Sequence, residues 1–263
     1  MKQDFPIGVF DSGVGGTSIW KEIHHLLPNE HTIYLADSRN APYGNKTPEE
    51  IYQLSKKNVD CLLKMHAKII VVACNTATTN AISRLRAEYN IPIVGIEPAI
   101  KPAALQTRTK SIGILATKGT LSSALFHKTS EQFAKDLSVV EVVGEGLVPL
   151  IEAGKLDSPE LYGLLEKYLE PMILTNIDYL VLGCSHYPYL IPLLQQMLPP
   201  NVTIIDSGEA VARQTRNLLE QYELLRVSNS KPDLQFYTNA STATMELLLK
   251  EYGEKISIST KDF

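Results

Sequence analysis

Residues 71–77 read VVACNTA, and residues 180–187 read LVLGCSHY. Each stretch is a short apolar run that ends in a cysteine, Cys74 or Cys184, followed by small polar residues. Apolar runs of this length before a helix-like stretch are typical of buried parallel strands. The two thiols are therefore expected at the carboxyl ends of strands, where open α/β sheets bind ligands. Two thiols in matching places suggest chemistry from two sides of one substrate.

Strand-like and helix-like runs alternate along the chain, which predicts parallel sheets with helices on both faces. The segment TPEE at residues 47–50 has the signature of a capping box with proline at the first helical position. The predicted helices are Gly16–Leu27, Thr47 to about Met65, Thr76–Tyr89, Ser207–Leu219 with Ser207 as its cap, and one near Thr242–Tyr252. The predicted strands are Ile7–Phe10, Thr32–Ala36, Ile69–Ala73, Ile93–Ile96, Ser111–Leu115, Val139–Val143, Asp178–Leu182, Val202–Ile205, Leu234–Tyr237 and Ile256–Ile258.

The strand pattern is also doubled. The stretch that begins at Ile7 resembles the one that begins at Ile112, and the strand before Cys74 resembles the strand before Cys184. Repetition in the same order indicates a duplicated unit. We therefore predict an α/β fold of two pseudo-symmetric, doubly wound parallel-sheet domains with the active site in the cleft between them. The predicted domains are residues 1–98 plus 207–263, and residues 99–206.

Composition narrows the class of protein. The chain has 263 residues, 44% of them hydrophobic, which is enough for one large domain or two modest ones. The net charge is −4 without a basic block, so we expect no obligate nucleic-acid partner. No apolar run would span a bilayer and no signal peptide precedes the first strand, so we expect no membrane partner. Three cysteines, an odd number, argue against a disulfide framework and fit the reducing cytoplasm.

The segment DSGVGG at residues 11–16 follows a strand and opens a helix. Glycines there let backbone N–H groups approach an anion, which the helix N-terminus also favours. The spacing matches neither a dinucleotide fingerprint nor a Walker loop, so a carboxylate ligand fits better, with Asp11 free to meet an ammonium. The alternative is a tight strand–helix turn in which Asp11 is only a cap.

A loop between the second strand and the capped helix contains Pro42, Tyr43 and Gly44. Loops of this kind can fold over a site. Here the Tyr43 hydroxyl or the Gly44 N–H would touch the ligand. A plain turn explains the same residues equally well.

Cys74 comes directly before Asn75, Thr76 and a predicted helix start. A thiol near a helix N-terminus has a lowered pKa, which falls from about 8.5 toward neutrality. We therefore expect a lowered pKa for Cys74. Asn75 and Thr76 are expected to donate hydrogen bonds to a carboxylate.

Cys184 precedes Ser185 and His186, which offer a hydroxyl and an imidazole at the equivalent place. His186 is expected to tune the Cys184 thiol or to assist proton transfer. Cys61 differs because it lies in the middle of a helix, where buried packing is the better interpretation.

Three alternatives exist for Cys74 and Cys184. They could be ordinary core residues, although two cysteines at polar strand ends argue against it. They could bind zinc with His186, but the local ligand pairs of most zinc sites are missing. They could form a redox disulfide, but no Cys-x-x-Cys is present. We therefore expect no metal.

Four segments occur in a characteristic order: GVFDSGVGG at residues 8–16, APYG at 41–44, ACNTA at 73–77 and LGCSHYP at 182–188. In this order the chain resembles the glutamate racemases, the cofactor-independent enzymes of the aspartate/glutamate racemase superfamily. The family usually has Thr after the second cysteine, where this chain has Ser185. The hydroxyl is kept, so we expect an effect on fit more than on chemistry. Some members carry an N-terminal extension tied to activation by a peptidoglycan precursor, and a strand starting at Ile7 leaves little room for one.

The resemblance implies interconversion of L- and D-glutamate at the α-carbon without a cofactor, with Cys74 serving D-glutamate and Cys184 serving L-glutamate. Residue chemistry agrees, because a single base would have to move between the two faces of the carbon, whereas two thiols on opposite walls need not. Asp11 and His186 would hold the ammonium or polarise a thiol, and Glu152 would support His186. The expected substrate-binding residues are Asp11, Ser12, Tyr43, Gly44, Asn75, Thr76, Thr117, Ser185 and His186.

The resemblance also implies a cytoplasmic homodimer whose product, D-glutamate, enters peptidoglycan and so serves cell-wall synthesis and cell shape. Alternatives stay open. A racemase of aspartate or hydantoin would use the same two thiols. A decarboxylase or hydrolase would need only one essential cysteine, and a non-enzymatic two-domain binding protein would need no reactive thiol.

Overall fold

A computed structural model describes residues 2–228 and 230–263. Its strands are β1 Ile7–Asp11, β2 Thr32–Ala36, β3 Ile69–Val72, β4 Ile93–Gly95, β5 Ser111–Ala116, β6 Ser138–Val143, β7 Tyr179–Gly183, β8 Thr203–Ile205, β9 Leu234–Thr238 and β10 Ser257–Thr260. Its α-helices are α1 Thr17–Leu26, α2 Pro48–Lys64, α3 Asn75–Glu88, α4 Ile100–Gln106, α5 Lys118–Leu121, α6 Ala124–Phe133, α7 Leu147–Glu152, α8 Pro159–Leu174, α9 Ile191–Met197, α10 Gly208–Gln221 and α11 Ala243–Leu248. Short 3-10 helices lie at Lys2–Asp4, Ser38–Asn40, Tyr43–Asn45, Tyr187–Leu190 and Lys250–Lys255.

The strands form two separate parallel sheets. The first has the order β10-β9-β2-β1-β3-β4, and the second has the order β6-β5-β7-β8. The first four strands of the chain are therefore arranged as the next four are, with β1 in the place of β5 and β3 in the place of β7. This repeated order confirms the predicted α/β fold of two pseudo-symmetric parallel sheets. The domain boundaries at 98/99 and 206/207 stay a proposal.

Buried strands explain why the sequence patterns were apolar rather than alternating. All residues of β1 and β3 are buried, because helices cover both faces of the first sheet. Val9 and Val71 face the cluster that contains α1 and α10, whereas Phe10 and Val72 face the cluster that contains α2 and α3. The second sheet is covered in the same way, by α4 and α6 on one face and by α7, α8 and α9 on the other.

Strand register brings the strand ends together. Phe10 of β1 pairs with Val72 of β3, so the residues that follow these two strands lie at one edge of the first sheet. In the second sheet Ala116 of β5 pairs with Gly183 of β7, which places Thr117 beside Cys184 in the same way. The carboxyl ends of both sheets supply the candidate site.

The predictions for the helix N-termini are confirmed in part. The capping box of α2 is present, because Thr47 and Glu50 exchange both backbone-to-side-chain hydrogen bonds. Ser207 occupies the N-cap of α10, but its side chain makes no cap hydrogen bond and donates instead to the Glu97 carbonyl. Asp206 accepts from the Gly208 N–H at 2.6 Å in its place. Ser207 is thus used to join the two segments by which the chain crosses between the sheets.

The C-terminal elements differ from the prediction. The helix expected near Thr242–Tyr252 is divided into α11 and a 3-10 helix, and Gly253 in the latter has a positive φ of 46°. The last strand is β10 at Ser257–Thr260, which starts one residue and ends two residues later than expected. Among the described residues, no helix combines the length and apolarity needed to cross a membrane.

A matched pair of glycines tests the packing of the central strand β1. A Cβ at Gly8 would lie 2.8 Å from the Ala67 Cβ, whereas a Cβ at Gly163 in α8 would meet nothing within 4 Å. We expect Gly8→Ala to lower the free energy of unfolding by about 1–3 kcal/mol through overpacking. Gly163→Ala should raise it by about 0.5–1 kcal/mol, because Ala is the better residue inside a helix.

Urea unfolding of both variants beside the wild type measures the two changes. Equal stability of Gly8→Ala and Gly163→Ala would contradict the close packing of β1 against the residues that follow α2.

Candidate active site

Cys74 lies at the carboxyl end of the first sheet. It is the N-cap of α3, and its sulfur accepts a hydrogen bond from the Ala77 N–H at 3.4 Å. The Cys74 sulfur is 3.6 Å from the hydroxyl oxygen of Ser12, which follows β1. That Ser12 hydroxyl is in turn 3.4 Å from the carboxylate of Asp11. The ends of β1 and β3 therefore place a thiol, a hydroxyl and a carboxyl in successive contact.

Cys184 lies at the matching end of the second sheet. Its sulfur is 3.7 Å from Nδ1 of His186, two residues later in the chain. Only 5% of Cys184 and 4% of Cys74 are exposed to solvent, and neither forms a disulfide. The duplicated strand ends thus carry the same thiol but different partners, since the neighbour of Cys184 is an imidazole.

Both thiols line one small cavity between the two sheets. The space inside it that is open to water is about 10 Å³. The cavity is lined by Ser12, Pro42, Tyr43, Gly44, Cys74, Asn75, Thr76, Thr117, Val148, Cys184, Ser185 and His186. The structure therefore brings together every predicted site residue except Asp11 and Glu152, which lie behind this lining. Val148 was not predicted, since an apolar residue early in a helix carries no sequence signal for a site.

Asp11 is fully buried beneath the cavity and contacts both halves of the molecule. Its carboxylate accepts from the Gly16 N–H at 2.7 Å and from the Ser185 hydroxyl at 3.3 Å. The first contact is the one that the turn interpretation predicts, and the second crosses the cleft. Burial raises the pKa of Asp11, and the nearby His186 charge opposes this increase. Asp11 therefore acts in this structure as a link between the Cys74 and Cys184 sides.

Two side chains of the first half hold the hydroxyl of Tyr43. The hydroxyl donates to Asp37 at 2.6 Å and accepts from the Asn58 side chain at 3.1 Å. Burial raises the pKa of Tyr43 well above its ordinary value. Contact of the Tyr43 hydroxyl or the Gly44 N–H with the ligand stays a prediction, and Gly44 lies against Thr117 across the cleft.

Asp37 was missed by the sequence reasoning. It follows β2 as Asp11 closes β1, and that parallel was the available signal. The fully buried Asp37 carboxylate accepts from Tyr43, Asn40 and Asn239, so it fixes the loop that contains Gly44.

Glu152 reaches His186 from the end of α7. Its Oε1 is 2.5 Å from Nε2 of His186 and accepts from the Val14 N–H at 2.7 Å, while Oε2 accepts from the Ser38 hydroxyl at 2.9 Å. The Gly15 N–H also points at Nε2, at 3.2 Å. A single Nε2 cannot accept from Gly15 and donate to Glu152 together, and the shorter contact with the carboxylate favours the donor form. The predicted support of His186 by Glu152 is present in the geometry.

The electrostatics of the two thiol neighbourhoods differ. Burial lowers the pKa of His186, but its contacts with Cys184 and Glu152 outweigh burial and place the pKa well above its ordinary value. Burial raises the pKa of the Cys74 thiol well above its ordinary value, and the charge of Asp11 adds to this. The predicted lowering of the Cys74 pKa is therefore wrong in this closed geometry, because one N–H at the start of α3 is weaker than full desolvation.

Polar groups line the remaining walls. The Thr76 hydroxyl is 2.8 Å from the Thr117 hydroxyl, so this pair bridges the first and second halves. Neither polar side-chain atom of the buried Asn75 has a hydrogen-bond partner among the described residues. Buried polar groups without partners are costly, which makes Asn75 a group able to bond a ligand in the cavity.

Cys61 lies apart, half-buried in α2 against the cluster that includes Val59 and Leu62. It packs at the edge of this cluster. Within residues 2–228 and 230–263, no set of three or more His, Cys, Asp or Glu side chains is arranged to hold a metal ion.

Comparison with known proteins gives the family. The model of the family described as Asp/Glu/Hydantoin racemase matches residues 7–215. A glutamate racemase of Pseudomonas syringae pv. tomato is 52% identical over 223 residues, which cover 84% of this chain and 81% of that protein. The crystal structure of a Bacillus anthracis glutamate racemase is similar with a TM-score of 0.85 and 32% identity, covering 98% of this chain and 97% of the other. The Escherichia coli glutamate racemase, crystallised with L-glutamate and the activator UDP-MurNAc-ala, has a TM-score of 0.85 and 34% identity, with 97% of each chain covered.

The charge of Glu152 should control the protonation of His186. Glu152→Gln keeps the side-chain shape and removes the charge that raises the His186 pKa. We therefore expect the His186 pKa to fall in this variant, as followed by NMR titration of the imidazole. The exposed Glu251, which pairs with Lys21, provides a control, because Glu251→Gln should leave the His186 titration unchanged.

The raised pKa of His186 also determines how the stability of the fold depends on pH. The folded protein binds the His186 proton more tightly than the unfolded chain does, so this proton stabilises the fold fully below about pH 6.5. That contribution is lost as the pH rises through the elevated pKa. A His186 titration in Glu152→Gln that matches the wild type would contradict the role assigned to Glu152.

Proposed function

The chain belongs to the Asp/Glu/Hydantoin racemase family and is an amino-acid racemase, an isomerase; we propose that it interconverts L- and D-glutamate without a cofactor. One observation carries the two-base form of this proposal. The buried thiols of Cys74 and Cys184 come from different sheets and line the same cavity. A planar carbanion held between them would have one thiol at each face.

The proton balance needs both sulfurs. One cysteine, as thiolate, removes the α-proton and becomes a thiol, while the other, as thiol, donates its proton to the opposite face and becomes a thiolate. The product has the inverted configuration, and the two cysteines have exchanged protonation states. By family analogy Cys184 acts first on L-glutamate and Cys74 acts first on D-glutamate. General acid–base steps of this kind supply about 10²–10⁴-fold each.

Each thiol has its own group for proton exchange. On one side the Ser12 hydroxyl stands between the Cys74 sulfur and Asp11, and the raised pKa of Asp11 makes its carboxyl able to carry a proton at a higher pH than an ordinary Asp. On the other side Nδ1 of His186 contacts the Cys184 sulfur, while Glu152 holds Nε2. These contacts support a positioning and proton-exchange role for Asp11 and His186.

Because the proposed reaction uses no cofactor, side chains of the protein must stabilise the carbanion. The candidate donors to the substrate carboxylates are the unpartnered Asn75 amide and the hydroxyls of Thr76, Thr117 and Ser185. Prearranged donors in a site closed to water are worth more than the same groups in water. The Thr76 and Thr117 hydroxyls bond to each other in this structure, and the substrate would take over those bonds.

The cavity must widen before glutamate can enter. A space in which only about 10 Å³ can hold a water centre is too small for a molecule with two carboxylates. The halves are joined at the two chain crossings, where Ser207 bonds to the Glu97 carbonyl. We expect the sheets to move apart about these crossings when substrate binds and to close again for proton transfer.

The cellular role proposed here follows the resemblance. D-Glutamate made in the cytoplasm would be consumed in peptidoglycan synthesis and so would support the cell wall and cell shape. A homodimer is the assembly we propose.

Substitution of each thiol tests the two-base mechanism. Cys74→Ala and Cys184→Ala should each reduce racemisation in both directions by about 10²–10⁴-fold or more, because either direction needs both sulfurs. Cys61→Ala is the matched control and should retain wild-type activity, since Cys61 lies outside the cavity. Circular dichroism at saturating L- or D-glutamate measures both directions, and wild-type activity in either cavity variant would refute the mechanism.

Isotope transfer separates two bases from one. In D₂O, the product enantiomer should carry deuterium at the α-carbon while the recovered starting enantiomer stays protiated at early times. A single base that moves between faces would place deuterium in both. The same assay with aspartate and hydantoin in place of glutamate distinguishes the alternative substrates, because only the true substrate exchanges its α-proton for deuterium.

A further inference from the structure

Asn80 joins the two halves of the molecule behind the cavity. It lies on α3, directly one turn after Thr76, and its Nδ2 donates to the Thr76 carbonyl at 2.9 Å. The same nitrogen donates to the Gly119 carbonyl at 3.0 Å. Gly119 belongs to α5, which follows the second sheet's strand β5. One amide therefore holds a helix of the first half to a helix of the second.

The Gly119 carbonyl depends on this donor. Helix α5 is only four residues long, and the Ser123 N–H that would continue it bonds to the Thr120 carbonyl instead. Carbonyls at the end of a helix have no partner within the helix and must be satisfied from elsewhere. Gly119 is buried, so the Asn80 amide meets a need that water cannot reach while the cleft is closed.

The contact surface around Asn80 is unusually close. A Cβ at Gly119 would lie 2.8 Å from Cγ2 of Thr76 and 3.0 Å from Cα of Gly44. Bare glycines on the two sides, Gly44 and Gly119, therefore let the backbones of opposite halves approach. The Thr76–Thr117 hydroxyl pair lies in the same seam, so the seam borders the cavity directly.

We propose that Asn80 is a positioning residue that latches the cleft shut, and that the seam of Asn80, Thr76, Gly44 and Gly119 sets the balance between open and closed forms. Opening the cleft pulls α5 from α3, breaks the Asn80–Gly119 bond and exposes Cys74 and Cys184. Closing restores the bond and brings both sulfurs back to the cavity. Its effect on turnover rests on the proposed racemase function, whereas its effect on thiol exposure does not.

Alkylation of the three cysteines by iodoacetamide measures the latch without any substrate. In Asn80→Asp the volume is kept, but a carboxylate cannot donate to two carbonyls and repels both. We expect the labelling rates of Cys74 and Cys184, resolved by peptide mass spectrometry, to rise roughly two- to tenfold, the factor by which one intramolecular hydrogen bond biases an equilibrium. Cys61, which is half-buried on α2 outside the cleft, should label at the wild-type rate.

The matched control is Asn217→Ala beside Asn80→Ala, because Asn217 is exposed on α10 and Asn80 is not. Only the Asn80 change should increase labelling of Cys74 and Cys184. If Cys61 labelling rises too, the variant is unfolding. Gly119→Ala then provides the test of the latch. It keeps the Asn80 amide but wedges the seam, so we expect the same selective exposure. Wild-type protection of the two cavity thiols in Asn80→Asp, or in Gly119→Ala if Asn80→Asp unfolds, would overturn the proposal.

Turnover gives a second readout that packing alone would not produce. A weaker latch lowers the closed fraction of the substrate complex, in which proton transfer occurs, so kcat for glutamate should fall by up to the factor by which labelling rises, while KM changes less. A selective labelling change in a protein that does not racemise glutamate would support the latch and refute the proposed function. Glutamate racemisation with unchanged labelling would do the reverse.

Discussion

A buried carboxylate shared by both halves of the molecule is the constraint on which the site depends. Asp11 ends the central strand of the first sheet, fixes the following turn through the Gly16 N–H and accepts from Ser185 of the second sheet. Removing either donor would take a hydrogen bond from a fully buried carboxylate, which is expensive. The turn at the start of α1 and the segment after Cys184 are therefore held together, and the separation of the two thiols is set with them.

Duplication explains the symmetry of the site but not its chemistry. Equivalent strand ends present Cys74 and Cys184 to one cavity, as the repeated strand order requires. Their partners are not equivalent, since a hydroxyl leads from Cys74 to a carboxyl, whereas Cys184 meets an imidazole held by Glu152. A racemase treats two mirror-image substrates, yet its own walls are made of L-amino acids and cannot be mirror images. Unlike partners for like thiols are a natural solution to that asymmetry.

The sequence predicted features that depend on neighbours along the chain. Apolar runs before Cys74 and Cys184 predicted buried strands, and TPEE at residues 47–50 predicted the helix start with its capping box. Features that depend on the other half could not be read in this way. The raised Cys74 pKa follows from burial in the cleft, and the Thr76 hydroxyl finds its partner Thr117 only across that cleft. Asn80 looked like any polar residue of a helix until α5 was placed beside it.

The strand order has a consequence for synthesis of the chain. Strand β2 pairs with β9, so the first sheet is completed only by residues near the C-terminus, whereas the second sheet uses one continuous segment. A ribosome therefore releases β1 to β4 with the edge of β2 uncovered, and this edge can pair wrongly with another chain. The later second sheet has all its strands before β9 emerges, so it completes first. The half that begins the protein is therefore also the half whose last strands are synthesised last, and slow translation near the end would prolong the time for which the β2 edge is uncovered.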